Sequence, residues 1–395
     1  MRGLLFLLMA KSNEEIERDK KLHELERILL GAREMKASDV HFKVGYKPIV
    51  RINGTPDQIN TEVVDEIKII DIVDLILNKN KQDYFHKHKN VDASLEVIGR
   101  DKNTKKEVEY RHRVNVGYAR KQPFITIRLI PDKIMSVDEI GFPYEVWKNI
   151  VGCEEEEITG LKRGLILITG VAGSGKTTTQ ASLLQEINKR RKENIITVED
   201  PIEYTYPRGK SIISQRELGD DLNSFADGIK YSLRQDPDVI LIGEIRDRET
   251  ALHNLEAAET GHLVFSTLHT KDAAETVRRY VNLFDTDDHD NIRDSLSANL
   301  SYVLCQQLIP YQKGVGRRLA MEVMNVRDSA AIRKHIRDGE YHKIPGQMQL
   351  EKAHKSILMD DHIKYLCTKG EIKLEDALAQ AYNSERLKED LDKVK

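Results

Sequence analysis

The stretch GLILITGVAGSGKTTT, residues 164–179, decides the fold class. Its first residues form a short apolar run that is typical of a buried strand, and a helix is predicted to start near Gly175. Between them, residues 170–177 fit the pattern G-x-x-x-x-G-K-[ST] of a phosphate-binding loop. The glycines let backbone N–H groups surround a phosphate, and the helix turns its positive end towards the anion. The sequence therefore predicts a nucleotide site between a strand and a helix.

Two side chains of this loop carry specific chemistry. Lys176 can reach the β- and γ-phosphates, and the Thr177 hydroxyl can ligate Mg²⁺. A glycine-rich turn without a ligand is the alternative, and the position between a strand and a helix argues against it. We expect ATP and Mg²⁺ as cofactors. The expected nucleotide contacts within this segment are Gly170, Val171, Ala172, Gly173, Ser174, Gly175, Lys176, Thr177 and Thr178.

Strands and helices alternate after the loop. Strands are predicted at NIITVED (194–200), VILIG (239–243) and HLVFSTL (262–268), with helices at NSFADGIKYSLRQD (223–236), RETALHNLEAAE (248–259) and DAAETVRRYVNLF (272–284). Short buried strands that alternate with helices indicate a parallel sheet covered on both faces. After residue 320 the chain reads as mostly helical, including DSAAIRKHIRDG (328–339), for which Asp328 is the predicted N-cap and Gly339 the stop.

The chain before the loop has a different pattern. A helix is predicted over 13–35 and another over 62–77, and the remaining apolar segments alternate like strands. A charged stretch, RDKNTKKE (100–107), is predicted as a solvated hairpin tip. The expected organisation is an extension over 1–20, a small α+β domain over 21–132, a linker over 133–160, an ATPase core over 161–320 and a helical C-terminal region over 321–395.

The overall composition narrows the function classes. Lys and Arg total 62 against 65 acidic residues, which gives a net charge of −3 and no general argument for binding nucleic acid. The three cysteines are widely separated, so a zinc ribbon or disulfide framework is not indicated. The opening MRGLLFLLMA resembles a short signal-peptide core, but a helix start or an upstream start codon is the preferred interpretation. We therefore expect a cytoplasmic protein.

Carboxylates follow two of the predicted strands. Glu244 comes one residue after the place where nucleotide-binding folds usually carry a Mg²⁺-binding Asp, which is Gly243 here. From the end of a buried strand beside the loop, Glu244 can polarise a water or contact the metal. Glu199, Asp200 and Glu203 follow the neighbouring strand and are candidates for a second acid on the Mg²⁺ side. For Glu244 the alternative is a salt bridge to Arg246 or a solvated strand end. For Asp200 and Glu203 it is a purely structural Asp-Pro turn.

Four further segments closely resemble the motor ATPases of type II and type IV secretion and of type IV pili. They are SDVHFKVGYKPIVRINGTP (38–56), TVEDPIEY (197–204), LRQDPDVILIGEIRD (233–247) and AAETGHLVFSTLHT (257–270). The resemblance extends over roughly residues 35 to 390. It implies the fold class: an α/β protein with a small PAS-like α+β N-terminal domain, a RecA-like P-loop ATPase domain and a helical C-terminal region.

The resemblance also assigns roles to histidines and arginines. His262 and His269 become sensors of the γ-phosphate or of a neighbouring subunit, with ordinary surface or core histidines as the alternative. Arg113 and Arg128 match positions at which the family's N-terminal domain supplies arginines to an ATP site, with solvent-facing strand arginines as the alternative. Two further candidates for the nucleotide site flank the strand before Glu244, namely Arg234 and Arg246.

The C-terminal segments resemble one branch of that family. AIRKHIRDGE (331–340) is similar to a helix signature of pilus-retraction motors, from which it departs at Lys334 and His335, and GEIKLEDALAQA (370–381) matches the family's C-terminal tail. The resemblance implies a homohexamer at the inner face of the inner membrane. Its implied partners are a membrane platform protein and paralogous pilus motors, through which it would associate peripherally with the membrane.

Three other functions remain open at this stage. One is a motor of a Dot/Icm-like or type II secretion system, which is built on a similar core. Another is a scaffolding or regulatory ring that binds ATP but hydrolyses it poorly, against which Lys176, Thr177 and Glu244 argue. The last is a nucleic-acid motor, against which the balanced charge and the absence of a basic-aromatic stretch argue.

Overall fold

The computed structural model describes residues 13–52, 55–100, 107–131, 133–314, 316–351 and 355–393. The opening MRGLLFLLMA and most of the predicted hairpin tip lie outside these residues. The chain divides into two compact units. The first comprises the residues up to Lys133 together with Glu203–Thr205, and the second comprises Ile134–Ile202 and Tyr206–Lys395. The second unit thus includes residues 134–160 of the segment expected to be a linker.

The first unit is an antiparallel sheet with helices. Its strands lie in the order β3-β2-β1-β6-β5-β4, and every neighbouring pair is antiparallel. Alternate strand positions such as Val40, Ile125 and Ile127 are fully buried and form the core with the helices. The elements are α1 (Asn13–Glu34), β1 (Asp39–Lys43), β2 (Ile49–Ile52), β3 (Thr55–Gln58), α2 (Glu66–Ile76), α3 (Lys79–His88), β4 (Asn90–Arg100), β5 (Glu107–Ala119) and β6 (Gln122–Leu129).

The second unit is built on a mostly parallel sheet in the order β13-β12-β7-β11-β10-β8-β9. Only the edge pair β12–β13 is antiparallel. Its elements up to the last strand are α4 (Tyr144–Val151), β7 (Gly164–Thr169), α5 (Lys176–Arg190), β8 (Asn194–Glu199), β9 (Ile212–Glu217), α6 (Phe225–Ser232), β10 (Val239–Ile242), α7 (Arg248–Glu259), β11 (Leu263–Leu268), α8 (Ala273–Val281), α9 (His289–Asn299), β12 (Leu300–Pro310) and β13 (Arg317–Asn325).

The central strands β7 and β11 are mostly apolar and are buried at every position, because both faces of the sheet are covered. All six residues of β7 and of β11 are buried. Leu165 and Leu167 of β7 pack on one face with α6, α7 and α8, whereas Ile166 and Ile168 pack on the other with α4 and α5. This arrangement confirms the predicted covered parallel sheet.

The C-terminal region differs from the prediction at its start. Residues 317–325 form the strand β13, which pairs with β12 along its whole length, so the expected helical region begins only after it. The helices are α10 (Ala330–Arg337), α11 (Ile344–Leu350), α12 (Met359–Thr368), α13 (Leu374–Gln380) and α14 (Ser384–Asp392). The predicted N-cap Asp328 was wrong by one residue, because the Ser329 hydroxyl accepts the Ile332 N–H at 3.0 Å. Among the described residues, no helix has both the length and the apolar character needed to cross a membrane.

Candidate active site

The phosphate loop connects the end of β7 to the start of α5, as the sequence predicts. Gly170, Gly173 and Gly175 have φ values of 145°, 77° and 89°, which residues with a side chain rarely adopt. At Gly170 there is also no room for a side chain, because an added Cβ would lie 2.4 Å from the Gln306 carbonyl oxygen. The loop conformation therefore depends on these glycines.

Lys176 folds back onto its own loop. Its Nζ atom donates to the carbonyl oxygens of Gly170 at 2.9 Å and Val171 at 3.4 Å, and it lies 3.3 Å from His269 Nδ1. Burial lowers the pKa of the Lys176 ammonium, and the charge of Glu244 opposes this shift. The Lys176 ammonium thus lies against the loop, where its bonds to the two carbonyl oxygens can be replaced by bonds to phosphate oxygens.

The sheet carries Glu244 just past its carboxyl edge. Gly243 remains paired within the sheet, because its N–H donates to Val198 at 2.8 Å and its carbonyl accepts from the Thr267 hydroxyl at 2.6 Å. Glu244 follows directly and lies 3.3 Å from His269 Nε2. Since β7, β10 and β11 are parallel and in register, the ends of all three strands meet here. The structure therefore brings Lys176, His269 and Glu244 together.

Arg246 pairs with two carboxylates of this site. Its Nε donates to Glu244 Oε2 at 2.9 Å, and its Nη1 lies 3.3 Å from Asp200 Oδ2. Burial would lower the pKa of Arg246, but the bonds and charges of Glu244 and Asp200 outweigh it and raise that pKa. The salt bridge between Glu244 and Arg246, the alternative interpretation of Glu244, is therefore present together with the contact to His269.

Mg²⁺ fits part of the predicted ligand set. Thr177 is half-buried in the first turn of α5, and its hydroxyl and the Glu244 carboxylate are hard oxygen donors of the kind Mg²⁺ uses beside phosphates. Glu199 is 7% exposed, and its Oε1 accepts from Thr197 at 2.7 Å and Gln215 at 3.2 Å within the sheet. Among the described residues, no cluster of three or more acidic, His or Cys side chains can hold a metal on its own. A role for Glu199 as a metal ligand stays a prediction.

Two residues that were predicted to contact the nucleotide, His262 and Arg234, lie near the amino ends of the strands, whereas the loop lies at the carboxyl ends. His262 directly precedes β11, and its carbonyl accepts the N–H of Gly164, the first residue of β7. Its ring Nδ1 lies 2.9 Å from the Ala257 carbonyl near the end of α7. Arg234 is exposed in the turn before β10. The structure does not bring these side chains to the loop of their own chain, because a six-residue strand separates its two ends by about 20 Å. Their contact with a nucleotide stays a prediction. A role for His262 towards a neighbouring subunit remains a prediction.

The remaining candidates belong to the first unit. Arg128 Nε pairs with Asp39 Oδ1 at 3.1 Å while its side chain stays 65% exposed. Arg113 lies beside it across the β5–β6 pair, and its Nη2 is 3.7 Å from Asp92 Oδ2. Glu203 belongs to the short segment that groups with the first unit. Their roles at a nucleotide site stay predictions.

Gln306 on β12 also contacts the loop and was not predicted from the sequence. This residue is 1% exposed, and its side-chain amide donates to the Ser174 carbonyl of the loop at 2.7 Å across 132 residues of sequence. No pattern around the loop indicates this contact, because it depends on the pairing of β12 with β7. The site as a whole offers a glycine cradle and a lysine for a phosphate chain, and a carboxylate for activating water.

Most of the chain is similar to known proteins. A family model described as Type II/IV secretion system protein matches residues 14–381. The chain is 34% identical over 358 residues to the type IV pilus retractation ATPase PilT of Pseudomonas aeruginosa, covering 91% of this chain and 98% of that protein. The solved structure of the pilus retraction motor PilT with bound ADP superposes with a TM-score of 0.78 at 35% identity, covering 92% and 98%. The ATPase DotB of Legionella pneumophila superposes with a TM-score of 0.71 at 27% identity, covering 90% and 95%.

Proposed function

The chain belongs to the type II/IV secretion system protein family, and we propose that it is the ATP-hydrolysing motor that retracts a type IV pilus and so drives twitching motility. The observation that carries this proposal is the likeness to a retraction ATPase over 91% of this chain and 98% of the relative. The match leaves almost no part of either chain unaccounted for. The fold class and the ATPase activity follow from the family itself.

The side chains at the sheet edge supply the steps of hydrolysis. The loop binds the β-phosphate through backbone N–H groups, and Lys176 leaves the carbonyls of Gly170 and Val171 to contact the β- and γ-phosphates. Mg²⁺, when bound beside Thr177, neutralises charge on the phosphates. Glu244 accepts the proton of the attacking water, the bond from the γ-phosphorus to the bridging oxygen breaks, and ADP and phosphate leave.

Arg246 and His269 hold the Glu244 carboxylate in place. Both contact the Glu244 carboxylate, at 2.9 Å and 3.3 Å. The two contacts use different oxygens of the carboxylate, and each oxygen can accept a second hydrogen bond, so a water can bind Glu244 beside them. His269 also touches Lys176, so a γ-phosphate that draws Lys176 forward alters the surroundings of Glu244 at the same time. This coupling supports a role for His269 as a sensor of the γ-phosphate.

The proposed assembly is a homohexameric ring at the cytoplasmic face of the inner membrane. A membrane platform protein would anchor the ring to the pilus base, and paralogous pilus motors would share that base. Arg113 and Arg128 are proposed to serve the ATP of a neighbouring copy, where positive charge would stabilise the transition state. Their exposed or half-exposed side chains are available for such a contact.

A second candidate is the motor of a Dot/Icm-like secretion system. The superposition with DotB over 90% of this chain supports it, although the identity is lower than for the retraction motor. Both functions use the same ATPase chemistry, so the site does not distinguish them. The two functions differ in the assembly on which the motor acts, which is a pilus in one case and a secretion system in the other.

Deletion of the gene in the bacterium that carries it separates these candidates. Loss of a retraction motor should leave cells with more surface pili and without twitching motility, and the wild-type gene should restore both. Normal pili with failed export of secreted proteins would instead identify a secretion motor. Loss of surface pili would identify an assembly motor.

A further inference from the structure

The inner side of the phosphate loop rests on β12. Gln306 and Ser174 are 1% and 2% exposed, and the Gln306 side-chain Nε2 donates to the Ser174 carbonyl oxygen at 2.7 Å. The bond is buried, so water does not compete for it. It joins the middle of the loop to a strand that enters the sheet more than a hundred residues later.

Gln306 also lies close to both ends of the loop. A Cβ on Gly170 would lie 2.4 Å from the Gln306 backbone oxygen, and a Cβ on Gly175 would lie 3.3 Å from Gln306 Nε2. Leu308, two residues along the same face of the strand, lies 3.4 Å from that second position. The loop therefore packs against β12 at its start, its middle and its end.

The bond to Ser174 sets the direction of a second group. The peptide between Ser174 and Gly175 is planar and trans, so its C=O and its N–H point in opposite directions. Because Gln306 holds the Ser174 oxygen towards β12, the Gly175 N–H must point away from that strand. Glycines on both sides of Ser174 make this peptide easy to rotate when nothing holds it.

We propose that Gln306 is a positioning residue, which acts through the Ser174–Gly175 peptide to aim the Gly175 N–H at the β-phosphate of the bound nucleotide. The other half of its amide supports this assignment. Gln306 Oε1 is buried and accepts no hydrogen bond from the described residues, which costs stability. An apolar side chain of the same length would avoid that cost. The presence of an amide is therefore explained by the hydrogen bond that its N–H group donates to the Ser174 carbonyl.

The substitution Gln306→Met tests this proposal, with Gln307→Met as the matched control. Methionine has nearly the same length but no donor. Gln307 is the next residue on β12 and lies on the opposite face of the strand. We expect Gln306→Met to weaken ADP binding about tenfold and to raise the KM for ATP to a similar extent, with kcat changed less than about threefold. Affinity for AMP, which has no β-phosphate, should not change.

The thermal midpoint without nucleotide separates positioning from stability. Gln306→Met should melt close to wild type, and Gln307→Met should match wild type in ADP affinity. Equal losses for ADP and AMP, or unchanged ADP affinity in folded Gln306→Met, would overturn the proposal. If Gln306→Met does not fold, Gln306→Leu takes its place with the same expectations. The inference rests on the proposed nucleotide site, and wild-type protein that fails to bind ADP would refute that site rather than the role of Gln306.

Discussion

Replacing Glu244 with Gln separates catalysis from binding. The carboxylate pairs with Arg246 Nε at 2.9 Å and with His269 Nε2 at 3.3 Å. Glutamine has the same size and keeps an oxygen that can accept from Arg246, but it does not take a proton from water. We expect the variant to bind ATP and to hydrolyse it at least ~100-fold more slowly.

The expected effect of Glu244→Gln on stability is smaller than its expected effect on the rate of hydrolysis. The side chains of Arg246 and His269 are 53% and 49% exposed, so each pair with Glu244 contributes at most about 1 kcal/mol to stability. A ~100-fold loss in rate corresponds to about 2.7 kcal/mol in the activation free energy. The variant should therefore lose turnover with little change in folding or in nucleotide affinity.

The assay combines phosphate release at saturating ATP with titration of a fluorescent ATP analogue. Because the charge of Glu244 raises the pKa of Lys176, the variant lowers that pKa further, and binding should be measured at neutral pH. Glu249→Gln, an exposed carboxylate on α7, is the matched control and should behave as wild type. Loss of binding together with turnover would refute the role of Glu244 as base and identify it as a metal or folding residue.

Two other predictions concern the arginines and a buried carboxylate. Rings mixed from Lys176→Ala chains and from Arg113→Ala, Arg128→Ala chains should hydrolyse ATP faster than either pure ring, because composite sites with both parts intact form only in the mixture. In the second unit, burial raises the pKa of Glu322 from 4.5 to about 7, so the folded state holds this proton more tightly than the unfolded state. Its stabilising effect is therefore complete below about pH 4.5 and is lost as the pH rises through about 7, and Glu322→Gln should gain about 3 kcal/mol relative to wild type between pH 4.5 and 8.

Each of these predictions has a defined contrary result. No recovery of ATPase activity, in rings shown by native mass spectrometry to have exchanged subunits, would place the arginines in their own chain's site or outside catalysis. For Glu322, urea unfolding can be followed through Trp147, the only tryptophan, which is buried in the second unit. A stability difference between Glu322→Gln and wild type that does not vary with pH would contradict the effect of burial.

The strands and the loop of the site could be predicted because their signals are local. The four apolar residues Leu165 to Ile168 before the glycines indicate a strand buried on both faces, and the loop pattern fixes where the helix begins. The position of Glu244 also follows from one local fact, since it comes directly after a buried strand. Strand direction could have separated the two histidines as well, because His262 precedes β11 whereas His269 follows it.

The rest of the site depends on contacts between distant parts of the chain. Gln306 reaches Ser174 only because β12 pairs with β7, and nothing near either residue in sequence indicates that pairing. The strand β13 was missed for a related reason, since it lies at the edge of the sheet and its partner is β12. The link from Arg246 to Asp200 likewise joins the ends of two separate strands, β10 and β8.

Imaging of labelled pili on living cells tests the central claim most directly. The bacterium that carries this gene would express Lys176→Ala as its only copy, which removes the loop side chain that reaches the terminal phosphates. We predict that pili still extend but no longer retract, while the wild-type gene restores retraction. Retraction at the wild-type frequency and speed in Lys176→Ala cells would contradict the account.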